Sequence, residues 1–377
     1  MAADRVGGKW LFGGGVFLSA IVALMTPDAA TIHVTFLITL RILSGLGEGP
    51  LLPSIHALIA RWSVPRYRSG VVTFIFAGVD YGIIVGMVVT GVLCDYVGWE
   101  SAFYLFGTVG CIWFIAWFFL CFDSPPSHPR ISTTELEYWQ QAIGSEDLVT
   151  RPPTPWRQIF TSAPVWALAV AFFALSWSHT TLVTSLPTYM HDVLGFSMSK
   201  VGMFSAIPFF ASIVMIPASG RISDWLRAPG RLSTTVVRKT LCVAGFLLAA
   251  TFYILTAYFG CHRIGAVTTL FFVVFFLCFG MSSVVTNQLD LAPLHAGRIM
   301  GLTYFFANLS AIGAPLAMGA LTYEKSTVDE WRIVFLLAAA ILVVGAAVFV
   351  VFGSGQRQSW AEIGSPADEH DDTQHSQ

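Results

Sequence analysis

Residues 39–62 read TLRILSGLGEGPLLPSIHALIARW, part of an apolar run long enough to cross a bilayer that nevertheless carries an arginine and a glutamate. Arg41 and Glu48 are seven residues apart. That is about two helical turns, so at about 100° per residue they share one face, roughly 10 Å apart along the axis. Gly45 lies between them on that face, and Gly47 and Gly49 thin the helix further, so another helix or a small ligand has room to approach the backbone. Pro50 and Pro53 bend the helix beyond them. A charge at membrane depth costs about 2.5–3.5 kcal/mol on insertion scales, so such side chains face a bundle interior or a water-filled cavity. Two readings stand here. One is a buried Arg–Glu pair that only locks helices together. The other is a guanidinium open to a polar cavity, its planar fork suited to a carboxylate or phosphate.

Composition points to a membrane protein. The 377 residues are 55% hydrophobic and 11% charged, against roughly 25% charged in an average soluble domain. A net charge of -2, with the basic residues scattered among loops, excludes nucleic acid as a partner. Cys94, Cys111, Cys121, Cys242, Cys261 and Cys278 lie in or beside apolar runs without metal-ligand spacing and read as packing residues. No nucleophile–base set or metal-spaced cluster occurs in the loops, so no enzyme and no cofactor is expected. The opening thirty residues have the outline of a signal peptide, but the run Trp10 to Met25 approaches span length and many more spans come after it.

Apolar runs and turn signals predict ten spans, at about 10–27, 32–61, 70–94, 101–122, 164–189, 201–226, 236–259, 264–288, 298–322 and 331–353. With an even number both ends lie on one side. If that side is the cytoplasm, 15 Lys and Arg residues fall inside and four outside, so the positive-inside rule places both termini in the cytoplasm. The expected organisation is a four-helix transmembrane half over 1–122, a cytoplasmic linker over 123–163, a six-helix half over 164–354 and a disordered acidic tail over 355–377. Within the linker, Ser132-Thr-Thr-Glu135 ahead of LEYWQQAI predicts a short amphipathic helix.

Several stretches carry a family resemblance. They are DRVGGK at Asp4 to Lys9, R-x-x-x-G-x-G-E-G-x-x-x-P at Arg41 to Pro53, GW-x-x-x-FY-x-FG at Gly98 to Gly107 and LPTYM at Leu186 to Met190. The series continues with N-x-x-D-x-AP at Asn287 to Pro293, WR-x-VF at Trp331 to Phe335 and SG-x-x-Q-x-WA at Ser354 to Ala361. In this order the chain resembles the major facilitator superfamily, and within it the anion:cation symporters that include sialin, the vesicular glutamate transporters and the sodium/phosphate cotransporters. The resemblance implies an all-α polytopic fold and alternating access. It implies transport of a small organic anion, an acidic sugar or carboxylate, coupled to protons or sodium, by a monomer in a plasma, lysosomal or vesicle membrane. By the family pattern this chain lacks the first helix and nearly all of the second. The alternatives are an inorganic phosphate cotransporter of the same family, or a truncated form that does not transport. Leu175 stands where vesicular glutamate transporters carry an arginine, which counts against glutamate. His179 and Thr180 replace an aromatic pair, Asp80 stands where relatives have a neutral residue, and His295 where a tyrosine is common.

The remaining polar residues take roles as well. Glu48 is the candidate proton carrier, because an anion occupying Arg41 removes the attraction that keeps Glu48 ionised. Asp80 is read as a second coupling acid or a hydrogen bond to a neighbouring helix. His179 is read as a pH sensor or a packing residue hydrogen-bonded among Ser176, Ser178, Thr180 and Thr181. Tyr304 and Asn308, four apart on one helical face, line the cavity or make a polar helix contact. Asn287 and Asp290, just ahead of Pro293, cap and brace the cytoplasmic gate. Asp4, Arg5 and Asp224 belong to two similar inside loops, DRVGGK and SDWLRAPGR, that serve topology and gating, with Asp4 and Asp224 pairing to basic residues or helix ends.

Overall fold

The computed structural model describes residues 7–62, 68–132, 134, 154–228, 231–259, 262–323 and 327–361, and every regular element among them is helical. Nine helices of the described residues are long and apolar enough to span a membrane. The protein is therefore a multi-pass membrane protein. The tenth expected span, the run holding Arg41, is broken into α2 (Val34–Glu48) and α3 (Leu51–Trp62). Gly49 and Pro50 separate them, because proline has no N–H to give the preceding turn and its ring crowds that turn's carbonyl. Ahead of them α1 runs from Gly8 to Ile32, past the expected end at 27, and only the extended residue His33 divides it from α2. The ring of His33 caps α2 by accepting the Thr35 N–H at 3.1 Å.

The chain forms two compact units. The first comprises Met1–Val79 and Val89–Val149. Its helices are α1, α2, α3, most of α4 (Arg68–Tyr96) and α5 (Glu100–Leu120). Helix α1 packs on α2, α3 and α5. These contacts are made by small residues that let backbones meet, as expected where lipid supplies no hydrophobic drive. A Cβ on Gly15 would stand 2.3 Å from the Gly47 carbonyl oxygen, and one on Gly107 2.7 Å from Leu24. The close approach therefore runs through Gly47. Gly45 meets nothing within 4 Å, and Gly49 meets only carbonyls of its own helix. Gly15→Ala is accordingly expected to destabilise the protein by about 1–3 kcal/mol through overpacking. Gly45→Ala should leave stability unchanged or raise it by up to about 1 kcal/mol through helix propensity. Thermal unfolding of the two variants in one detergent checks both, and an equal loss for Gly45→Ala would show its face to be covered.

The second unit comprises Asp80–Val88, a stretch of α4, with Thr150–Gln377. It contains α6 (Trp156–Thr161), α7 (Ala163–Thr180), α8 (Leu186–Asp192), α9 (Met198–Leu226), α10 (Thr234–Phe259), α11 (Arg263–Leu291), α12 (Ala296–Thr322) and α13 (Val328–Phe352). Helix α7 packs on α12 and α13, α10 on α11 and α13, and α9 on α11. Their shared core holds Leu168, Phe209, Phe246, Leu270, Leu342 and Phe349, all essentially inaccessible. Val344, Val351 and Phe352 remain exposed on α13. Apolar residues on both sides of a helix are what a lipid-facing span requires. Between α7 and α8 the backbone opens into a π-helical turn, Thr181–Ser185, without interrupting the span.

After α13 the chain folds back over this unit. The Gly355 N–H donates to Thr235 Oγ1 and the Gln358 N–H to the Leu291 carbonyl, both at 3.0 Å. Trp360 stacks on His295, and Ala361 is fully buried. The boundary expected at 354 thus moves to at least 361, because an element without apolar length is held here by backbone hydrogen bonds and one stacked ring. The tail from 362, the amphipathic helix expected from Glu135, and Asp4 and Arg5 lie outside the described residues.

Candidate functional site

In the first unit, α2 presents Arg41, Gly45 and Glu48 on one exposed face. The Arg41 guanidinium lies 5.5 Å from the ring centroid of Phe103 on α5, a cation–π contact. Glu48 accepts hydrogen bonds from Ser44 Oγ at 2.8 Å and from Ser19 Oγ of α1 at 3.1 Å. Among the described residues neither charge forms an ion pair with the other. The buried Arg–Glu lock is therefore absent. Each charge is instead held in place by a neutral neighbour on another helix and left open on the Gly45 side. Ser19 and Ser44 do not stand out in the sequence, since a lone hydroxyl in an apolar run carries no signal of what it will meet, and the GW-x-x-x-FY-x-FG stretch that holds Phe103 does not say that this ring will meet Arg41.

The other membrane-depth candidates belong to the second unit. Asp80 is buried beside α9, where the Ser212 hydroxyl donates to the Phe209 carbonyl at 2.7 Å. His179, in the last turn of α7, touches Phe209 edge to face and makes no hydrogen bond among the described residues. The hydroxyls expected around it bond elsewhere, Ser176 to the Ala307 carbonyl, Ser178 to Tyr253 and Thr181 to the Trp177 carbonyl. The His179 side chain is exposed. The hydrogen-bonded packing role is thus set aside by the geometry. On α12, Tyr304 packs against Phe172 of α7, whereas Asn308, one turn on, is exposed without a hydrogen-bond partner among the described residues.

One end of the second unit is tied by a buried charge network. Asp290 accepts from Arg238 Nε at 2.7 Å, and Arg227 lies 3.6 Å from its other oxygen. Arg238, whose side chain is 4% exposed, also donates to Ser223 Oγ at 2.9 Å. Asp290 thus takes part in a charged tie between α10 and α11. Asp224 does not: it is exposed and has no ion pair among the described residues. The reason is phase, since Ser223 rather than Asp224 occupies the inward face of α9. Asn287 is fully buried with neither amide atom hydrogen-bonded among the described residues, and Pro293 opens the short turn that ends at His295. Burial, and then the neighbouring Arg298 charge, hold the His295 pKa below the ordinary imidazole range. Its Nδ1 lies 2.8 Å from Arg298 Nη1 and so accepts that proton. Arg238 is not recognisable as a functional residue while it is counted with the loop cations. Its place inside the first turns of an apolar run is the available signal, the same one that marks Arg41.

The model of the Major Facilitator Superfamily matches residues 1–289. The chain belongs to the major facilitator superfamily. Human vesicular glutamate transporter 2 is 37% identical over 365 residues, covering 96% of this chain and 62% of that protein. Human sialin is 38% identical over 359 residues, covering 95% of this chain and 72% of that protein. These relatives place the chain with the anion:cation symporters, a transporter group and not an enzyme group. The chain spans about 62% of the length of the vesicular glutamate transporter. The fold agrees with superfamily structures. A D-xylose–proton symporter superposes with a TM-score of 0.74 at 14% identity, over 95% of this chain and 84% of that one. A bacterial homolog of the human lysosomal transporter Spinster, inward-facing and unoccupied, gives 0.68 at 14% identity, over 93% and 84%.

Proposed function

We propose that the protein is a secondary active transporter of a small organic anion, a carboxylate or acidic sugar, coupled to proton movement through Glu48. The observation that carries this reading is the open face of α2, where Arg41 and Glu48 flank Gly45 and neither neutralises the other. An uncovered arginine in a span is too costly to leave against hydrocarbon, so its place is against water and an anionic ligand. An anion at Arg41 and a proton on Glu48 share one face of α2, and this proximity is the proposed link between their movements. Within the second unit taken by itself, His179, Asp80, Tyr304 and Asn308 are the proposed polar candidates for recognition and coupling. The names of the sialin and vesicular glutamate transporter relatives support the anion class, and Leu175 is the reason glutamate itself is not proposed. The excess of basic residues in one set of loops supports cytoplasmic termini.

Uptake of a labelled carboxylate into proteoliposomes under an imposed pH gradient tests the proposal. Arg41→Lys keeps the charge and loses the bidentate fork, worth about 1.5–3 kcal/mol for a charge-assisted contact. Uptake at low substrate is expected to fall about tenfold to a hundredfold with an unchanged melting temperature, since Arg41 has no ion pair to lose among the described residues. An unchanged uptake rate would remove Arg41 from the site, and a lowered melting temperature would return it to a structural role.

A further inference from the structure

The first unit carries a second open feature, away from the Arg41 face. It is a groove of about 590 Å³ between α3, α4, α5 and the chain just after α5. Its walls are hydrocarbon, with Trp62, Val71, Trp113, Trp117 and Phe122 among the lining residues. Two of the indole N–H groups are used internally and offer nothing to water. Trp62 donates to the Phe122 carbonyl at 2.8 Å and Trp117 to the Lys9 carbonyl at 3.0 Å. A groove of this character gives water few partners, and at membrane depth the material available to fill it is an acyl chain.

The residues at the end of the groove specify the chain's headgroup. The groove reaches the C-terminal ends of α3 and α5, beside the first residues of α1, which is an interfacial level. Lys9 stands there with its ammonium 4.8 Å from the Phe122 ring centroid. One of its protons goes to the Phe118 carbonyl at 2.8 Å, and two remain. His128 packs on the same Phe122 ring and on Trp62. Its Nδ1 accepts the Arg130 N–H at 3.2 Å, so Nε2 carries the ring proton and is a donor. The Arg130 side chain is exposed and without an ion pair among the described residues. The one carboxylate in direct contact with this cluster among the described residues, Asp123, accepts the Lys9 backbone N–H at 2.8 Å. The cluster therefore keeps a net positive charge beside an apolar slot. We propose that this groove binds an anionic phospholipid, one acyl chain along Trp62, Trp113 and Trp117 and the phosphate at Lys9, His128 and Arg130.

The groove's own tryptophans provide the test. The full chain is reconstituted in phosphatidylcholine vesicles containing a minor fraction of lipid with brominated acyl chains, a contact quencher of indole fluorescence. Brominated phosphatidylglycerol is expected to quench more than brominated phosphatidylcholine at the same fraction. Attraction of an anionic headgroup to each nearby cation corresponds to about a fivefold preference. Arg130→Gln, an exposed position, should lower the excess by about that factor, and Lys9→Gln should do the same. Ala116→Phe, which fills the groove from a lining position, should abolish the excess while leaving the headgroup cluster intact. Equal quenching by the two lipids would reduce the groove to ordinary lipid solvation and overturn the proposal. Excess quenching that survives both Arg130→Gln and Ala116→Phe in protein of unchanged helical content would overturn it equally.

Discussion

Asp290→Ala is expected to lower the stability of the protein by about 3–5 kcal/mol, because it leaves Arg238 charged, buried and without its carboxylate. Arg227 cannot compensate, since it carries the same sign of charge. The remaining partner of the Arg238 side chain, the neutral Ser223 hydroxyl, satisfies one N–H and none of the charge. The loss should appear as a lower thermal unfolding midpoint in detergent and as less protein reaching the membrane. Asp224→Ala, one residue past Ser223 but exposed, should stay within about 0.5 kcal/mol of the parent. Indistinguishable melting of the two variants would show that the Arg238–Asp290 pair does not hold this end of the unit together.

Glu48→Gln is the second large effect, and it acts on coupling rather than stability. Glutamine keeps an oxygen that can accept from Ser44 and Ser19, so the local geometry at 2.8 and 3.1 Å survives while the titratable proton is lost. Accumulation of the anion against its gradient under a pH difference should disappear. Exchange of labelled for unlabelled anion across the same vesicles should persist, because it moves no net proton. Full concentrative uptake by Glu48→Gln would assign the proton to another acid, and Asp80, buried in α4, would be next to test by Asp80→Asn.

The architecture is largely legible in the sequence because a span needs only length and apolarity, and those are local. The break in the Arg41 run is also announced, by Gly49 and Pro50. Which glycine touches what is not legible. Gly45, Gly47 and Gly49 are equivalent in sequence, and only the phase of α2 against α1 makes Gly47 the contact and leaves Gly45 open. The same limit applies to the charges. Arg41 and Glu48 stand out because they interrupt an apolar run. Their partners Phe103 and Ser19 lie on other helices, and nothing in the sequence pairs them with these charges. Loop similarity assigns Asp224 the role that Asp290 and Arg238 fill, because it says which residues are alike and not which face a helix turns inward.

The folded-back segment after α13 bears on how this protein can be handled. An engineer trimming the chain by hydropathy would cut at Gly353, where the apolar run stops, and attach an affinity or fluorescent tag there. That cut removes the hydrogen bonds from Gly355 and Gln358 and strips the Trp360 ring from His295. A fully buried histidine would then face solvent and the end of α11 would lose a partner. A junction that keeps these contacts lies no earlier than Ala361, so the earliest attachment point is set by a stacked indole beyond anything a hydrophobicity profile marks.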